Sequence, residues 1–354
     1  MLALVLLIVG VAEARTDFTI GADVSSLPQI EATGGTFKDH GRQADLLAIL
    51  KTHGVNHIRL RIWNRPADGY CGLAQTLLMA KRLKQAGIPW LLDFHYADNW
   101  ADPGHQPKPA TWADLHGPAL ESAVYDWTRQ VIAALDSQGT PPEMVQVGNE
   151  ITAGFLWDDG RLGGKGHSPA EAEAKWNGFT GLLKAGIRGV NDGSAGREPI
   201  RVMVHIDRGA DNPGSRWFFD HLRERSVQFD VIGLSYYPWW HGPLGKLKAN
   251  LDDLSVRYEK DLIVVETAYP CSPKGVDPHW SKSEKLTATV DGQRDFLAAL
   301  VRIVRGTAGG RGKGVYYWEP AWIPTPKAHS MWFDRGLFDA DGNLLDSIGG
   351  LTGK

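Results

Sequence analysis

Two stretches of the chain end a run of β-branched and apolar residues on a glutamate: MVQVGNE closes at Glu150, and LIVVET carries Glu266. A buried strand that stops at a carboxylate delivers that acid to the end of a sheet. Two acids delivered to one place can flank a single bond, and glycoside hydrolysis needs such a pair. One carboxylic acid protonates the leaving oxygen while one carboxylate acts on the anomeric carbon. Retention of configuration asks for carboxyl groups about 5 to 5.5 Å apart, inversion for a wider gap. Taken singly, each glutamate reads as a structural ion-pair member, so the pairing depends on what lies between them.

What lies between is an alternation of strand-like and helix-like segments. The strand candidates are 17–24, 55–63, 89–96, 144–150, 200–207, 229–237, 262–267 and 314–320. Helical spacing of apolar residues marks 44–53, 74–86, 118–137, 170–190, 214–226, 246–259 and 291–305, the first two stopped by Gly54 and Gly87. Eight such β/α repeats without a Pro/Gly/Ser-rich linker predict one closed (β/α)₈ barrel, an α/β TIM-barrel domain over residues 15–354. The alternative, an open doubly wound sheet, lacks any GxGxxG after a strand. Segments after the strands are long and rich in Trp, His, Asp, Gly and Pro, whereas those after the helices are short. This places an active site at the C-terminal face of the strands. Glu150, closing the fourth strand, and Glu266, closing the seventh, then face each other over the mouth.

Neighbouring strands offer supports. Ile58, Leu60 and Ile62 share one face of the second strand, so Arg59, Arg61 and Trp63 share the other, and arginines pointing into a barrel require acidic partners. Glu266 is the expected partner of Arg59, a contact that would hold Glu266 ionised while Glu150 keeps its proton. Asp93 and His95 on the third strand, His205 and Asp207 on the fifth, Tyr236 and Tyr237 on the sixth and Trp318 on the eighth complete the candidates. Each could equally be a satisfied core polar group. The histidines and acids could also assemble a metal site, but HExxH and CxxC are both absent, and the expectation is no metal and no cofactor.

The composition narrows the partners. With 43% apolar residues, 22% charged residues, a net charge of −3 and no Lys/Arg block, the 354-residue chain carries no electrostatic footprint for nucleic acid. Fourteen tryptophans, many beside Gly, Pro, Asp or Asn, fit a carbohydrate groove, because sugar rings present apolar faces to exposed aromatics; large core residues at loop bases are the plainer reading. Residues 1–14 combine an apolar run with a terminal Ala-Glu-Ala, as in a secretory leader cut after Ala14, which predicts a secreted or periplasmic protein, without stable membrane insertion and monomeric. Cys71 and Cys271 alone make no disulfide framework.

At these residues the chain resembles the endo-β-1,4-galactanases of glycoside hydrolase family 53. The matching stretches include GADVSSL (21–27), GVNHIRLRIWN (54–64), LLDFHYADNWADPG (91–104), MVQVGNEIT (144–152), RWFFDHL (216–222), FDVIGLSYYPWWHG (229–242), VVETAYP (264–270) and YYWEPAWIP (316–324). The resemblance implies a retaining barrel enzyme in which Glu150 is the acid/base and Glu266 the nucleophile. It further implies that Asn149 binds the 2-hydroxyl at the cleavage point, that Arg59 and a tyrosine of the sixth strand orient Glu266, and that Trp318 forms a platform beneath that sugar. Trp63, Trp100, Trp239, Trp240, Trp322 and Trp332 become candidates for the rest of the groove, and Asp93, His95, His205, Tyr236 and Tyr237 for its polar wall. The substrate implied is β-1,4-galactan in pectin side chains or type I arabinogalactan; another endo-glycanase of the same clan, acting on mannan or cellulose, and a non-catalytic galactan-binding barrel are the alternatives. Some relatives bind calcium after the seventh strand, but residues 271–289 lack acidic ligands at calcium spacing, so none is expected here.

Overall fold

The computed structural model describes residues 18–163, 168–194, 196, 198–277, 287–327 and 332–353. The expected leader, 1–14, lies outside them, as does much of the loop considered for calcium. Eight parallel strands close into a barrel in sequence order: β1 (Thr19–Asp23), β2 (His57–Ile62), β3 (Trp90–Phe94), β4 (Met144–Val147), β5 (Arg201–Ile206), β6 (Val231–Ser235), β7 (Asp261–Thr267) and β8 (Gly312–Trp318). Among the described residues, seven main helices join consecutive strands: α1 (Leu46–Thr52), α2 (Leu73–Ala86), α3 (Gly117–Ser137), α4 (Pro169–Gly193), α5 (Asn212–Glu224), α6 (Leu244–Tyr258) and α7 (Val290–Arg305). The expected (β/α)₈ barrel is therefore the observed fold.

Local chemistry explains the elements. In α3, Leu120, Val124, Val131, Ile132 and Leu135 recur at helical spacing and are all buried against the sheet. Ser168 and Glu171 cap α4 reciprocally, satisfying two backbone donors that its first turn leaves free. Gly87 ends α2 in the left-handed conformation, at φ 62°.

Each strand sorts its side chains between two cores. Outward residues such as Ile58, Leu60 and Ile62 pack under the helices. Inward ones build an apolar floor of Leu91, Met144, Met203, Val231, Ile263, Val265 and Tyr316. Gly21 is part of that floor by omission, since a Cβ there would sit 2.1 Å from the Tyr316 ring. Above the floor the inward residues become polar, with Asp23, Arg59, Asp93, Gln146, His205 and Ser235 all buried.

Several strands stop sooner than expected. β4 ends at Val147 because Gly148 takes φ 86°, where a Cβ would lie 2.6 Å from Ile151. The chain then turns, and Glu150 itself stands in the left-handed region at φ 49°. A short hairpin, Phe37–Asp39 with Arg42–Ala44, had no clear alternation to announce it. Among the described residues no helix is long and apolar enough to cross a membrane. Cys71 and Cys271 are free thiols, not joined in a disulfide.

Candidate active site

Arg59 is the hub from which the site can be built. Its side chain rises from β2 into the barrel and is 1% exposed. Nη1 meets Asp23 Oδ2 at 2.9 Å and Glu266 Oε1 at 2.8 Å. Nη2 donates to Asp93 Oδ2 at 2.8 Å and to Asn149 Oδ1 at 2.9 Å. A buried guanidinium is tolerable only with such compensation, and here one cation orders carboxylates from β1, β3 and β7 together with the amide beyond β4.

Glu266 reaches this hub through an irregularity in β7. Ile263 and Val265 point to the floor while Leu262 and Val264 face the helices, so strict alternation would turn Glu266 outward. The pairing of β6 with β7 slips after Leu234, setting Ser235 opposite Glu266. This bulge brings two successive side chains inward. Glu266 Oε2 then accepts from the Tyr237 hydroxyl at 3.0 Å. Burial pushes the Glu266 pKa up to about 7, with Arg59 pulling it down. Tyr237, buried beside two carboxylates, is pushed well above the usual phenol range and stays a donor.

Glu150 sits opposite with less support. Its Oε1 accepts from Ser235 Oγ at 2.6 Å. Burial, the charge of Glu266 and that of Asp207 together hold its pKa well above the usual carboxylate range. Both acids are raised, so Arg59 does not hold Glu266 in the ordinary carboxylate range as expected; the asymmetry lies in the contacts, since Glu266 meets an arginine at 2.8 Å and Glu150 a serine hydroxyl at 2.6 Å. His205 backs this side. Burial and the nearby Arg59 keep it neutral, Nδ1 accepts from the Glu150 backbone N–H at 3.3 Å, and Nε2–H therefore donates to Ser235 Oγ at 2.8 Å.

Asn149 is fixed between these groups. Its Nδ2 donates to Ala101 O at 2.9 Å, which leaves one amide hydrogen for a ligand, and its backbone carbonyl accepts from Gln106 at 2.7 Å. His95 donates through Nε2 to Asp93 at 3.0 Å and accepts from Ala101 N at 3.1 Å. Both candidate metal-binding histidines are thus committed to protein partners.

The two glutamates share a cleft of about 420 Å³ with Arg59, Arg61, His95, Asn149 and Tyr237, walled by Trp100, Trp240, Trp318, Trp322 and Trp332. Trp100 and Trp322 stack at 6.2 Å with planes 19° apart, and Trp318 meets Trp332 edge-on at 4.7 Å. Two acids with unequal surroundings beneath an aromatic wall can protonate one side of a sugar acetal and attack the other.

Comparison with known proteins gives the family. The family described as Glycosyl hydrolase family 53 matches residues 19–351. The chain belongs to glycosyl hydrolase family 53. An uncharacterized protein in the bgaB 5' region of Niallia circulans is 46% identical, covering 94% of this chain and 93% of its own length. An arabinogalactan endo-beta-1,4-galactanase of Thermothelomyces thermophilus is 34% identical over 93% of this chain and 97% of its own. Among solved structures, the family 53 catalytic domain of Ignisphaera aggregans superposes with a TM-score of 0.86 at 36% identity, covering 96% of this chain and 97% of that one.

Within this family 53 hydrolase five of the expected contact residues stand back from the cleft, among them Trp239, buried behind Trp332 at 6.2 Å. Tyr236 points to the helix layer, stacked on Phe296 at 6.3 Å, with its hydroxyl donating to Gly242 O; the extended chain leaving β6 keeps the alternation of Gly233 and Ser235, so Tyr237 takes the inward side. Trp63 stands edge-on behind Trp100, at 5.4 Å. Asp93 and His205, both fully buried, lie beneath the cleft. Conversely, Ser235, Gln146 and Asp23 support the site although their sequence context did not single them out; a polar residue at an inward position of a β-rich strand was the available signal. A second buried pair adjoins the first: Glu319 binds Arg61 Nη1 at 2.5 Å and Ser26 Oγ at 2.9 Å, and the Arg61 guanidinium lies 4.1 Å from the centre of the Trp100 ring, backing the aromatic wall with a cation–π contact.

Proposed function

We propose that this family 53 hydrolase is a retaining endo-β-1,4-galactanase that cleaves galactan side chains of pectin or type I arabinogalactan, exported through the leader at 1–14 and acting as a monomer without a cofactor. The observation that carries the reading is the unequal anchoring of the two carboxylates, Glu266 gripped by Arg59 and Tyr237, Glu150 held by Ser235 alone among the described side chains. The galactan specificity draws on the similarity to the Thermothelomyces galactanase.

Glu266 attacks the anomeric carbon as the C–O bond to the leaving sugar breaks, and Glu150 gives its proton to that oxygen. Glu150, now ionised, takes a proton from water as the water attacks the galactosyl ester and releases Glu266. Asn149 steadies the 2-hydroxyl, and Trp318 lies beneath the ring. The test is digestion of linear β-1,4-galactan with the product anomer followed by NMR. A β-anomer formed first is expected; an initial α-anomer refutes the double displacement. Preferential cleavage of mannan or cellulose refutes the substrate, and binding without hydrolysis refutes catalysis.

A further inference from the structure

The cleft continues past the residues that do chemistry. Asp102 is one of its walls, and the next two residues, Pro103 and Gly104, begin a second concavity of about 530 Å³ beside Trp157 and Arg161. Leu162, Gly163 and Lys175 belong both to this concavity and to a third, of about 390 Å³, which ends at Trp217 and His221 on α5. The second and third hollows thus share a wall, and the first adjoins the second through the consecutive residues Asp102 and Pro103, so the three lie in succession along one side of the barrel.

We infer that this path is a polysaccharide-binding track that holds the leaving-group side of a β-1,4-galactan chain outside the cleft. The inference rests on the galactanase reading and adds to it a place for sugars far from the cleaved bond. Three observations carry it.

The first is continuity with the proton donor. Trp157 lies on the loop that begins at Glu150, and its backbone N–H donates to Gln106 O at 2.7 Å, while Gln106 Nε2 donates to Asn149 O at 2.7 Å. Two hydrogen bonds therefore fix the start of the track to the residue beside the acid. The track is thus built from the loops after β3 and β4, and the second of these begins at Glu150.

The second is an aromatic side chain that the fold does not require. In the run RWFFDHL, Phe218, Phe219 and Leu222 are buried, but Trp217 is 40% exposed. It leans edge-on against Trp176 at 5.1 Å, and Trp176 is itself stacked on His221 at 4.4 Å with planes 11° apart. A rigid, half-exposed indole of this kind offers a face to a sugar ring.

The third is the spacing of charge. Arg161 lies 4.3 Å over the Trp157 ring, beside exposed Asp158, and Lys175 lines both the second and the third hollow. Separate indoles interleaved with hydrogen-bonding groups match alternating apolar faces and hydroxyls of a glycan better than one continuous apolar partner surface. A second contact on the same chain binds at the effective concentration set by the first, so the track acts only on chains long enough to span it.

The test compares wild type, Trp217→Ala and Trp157→Ala on polymeric galactan and on galactotetraose, with retardation of Glu266→Ala and Glu266→Ala/Trp217→Ala in galactan-containing gels as a second readout. The expected result is a KM on the polymer raised about fivefold by Trp217→Ala, kcat on the polymer retained, no matching rise on galactotetraose, and weaker retardation of the double variant. Unchanged polymer KM and retardation in an active enzyme overturn the track and leave the galactanase reading standing, as does an equal change on both substrates. Failure of wild type to cleave galactan overturns both.

Discussion

A single nitrogen, Nη1 of Arg59, sits 2.9 Å from Asp23 on β1 and 2.8 Å from Glu266 on β7, so the counter-charge of the proposed nucleophile is also a tie across the barrel mouth. Replacing Arg59 by Ala would leave three buried carboxylates without their cation. Removing one partner of a buried pair costs about 3–5 kcal/mol. Denaturant unfolding should show a loss of that order, and Arg59→Lys should retain much of the stability while lowering kcat, because an ammonium cannot span Asp23, Asp93 and Glu266 together.

The two glutamates should fail differently. Glu266→Ala is expected to abolish turnover on every substrate. Glu150→Ala should lose about 100- to 10,000-fold on galactan yet retain slow release of an activated aryl leaving group, which needs no proton. Steady-state rates on both substrate types check this, and equal losses on the two would contradict the assignment of roles.

The profile of kcat/KM against pH should rise as Glu266 ionises, near its raised pKa of about 7, and fall at higher pH as Glu150 loses its proton. Ser235 donates to the ionised form of Glu150 and so lowers its pKa; Ser235→Ala should displace the alkaline limb upward and leave the acid limb in place. A shift of the acid limb instead would mean the two roles are reversed.

Stability should follow pH in the opposite sense to most carboxylates. The native state keeps protons on Glu150 and Glu266 that the unfolded chain releases near 4.5. Their contribution is complete below that value and is lost as the pH climbs through the raised native pKa values. Glu150→Gln removes one such group, so its Tm should exceed that of wild type by roughly a few degrees at pH 8, with the gap narrowing toward pH 5. Calorimetry across that interval decides it.

Trp318 is 4.7 Å from Trp332 and 5.9 Å from both Trp100 and Trp322. Trp318→Ala should therefore cost substrate binding and wall packing together, raising KM about tenfold or more. Trp63→Ala, behind the wall, should act mainly on stability. Steady-state kinetics and thermal unfolding of the two variants separate these effects.

The barrel was legible in the sequence because each buried strand is a short β-branched run and a helix such as α2 is stopped by a glycine. Glu150, Glu266 and Arg59 were legible for a related reason: a charge at the end or on the inner face of such a run must be paired with an opposite charge or put to chemical use. Tyr236 was misjudged because the inward member of a tyrosine pair depends on register, which the two residues alone do not encode. Ser235 and Gln146 passed unnoticed because small or neutral polar residues are common on strands. The slip between Ser235 and Glu266 has no local signature, since Val264, Val265 and Glu266 are equally compatible with an unbroken pleat.

That slip makes the reactive centre sensitive to length as well as to identity. Deleting Val265 would let β7 run in regular alternation. Glu266 would then take the inward place that Val265 holds now, displaced by about 3.3 Å along the strand toward the floor, with every functional side chain retained. Point substitution is thus only one route by which a barrel of this kind can lose or relocate a nucleophile; a three-nucleotide deletion in the coding sequence of β7 is another, and it leaves the carboxylate in the chain.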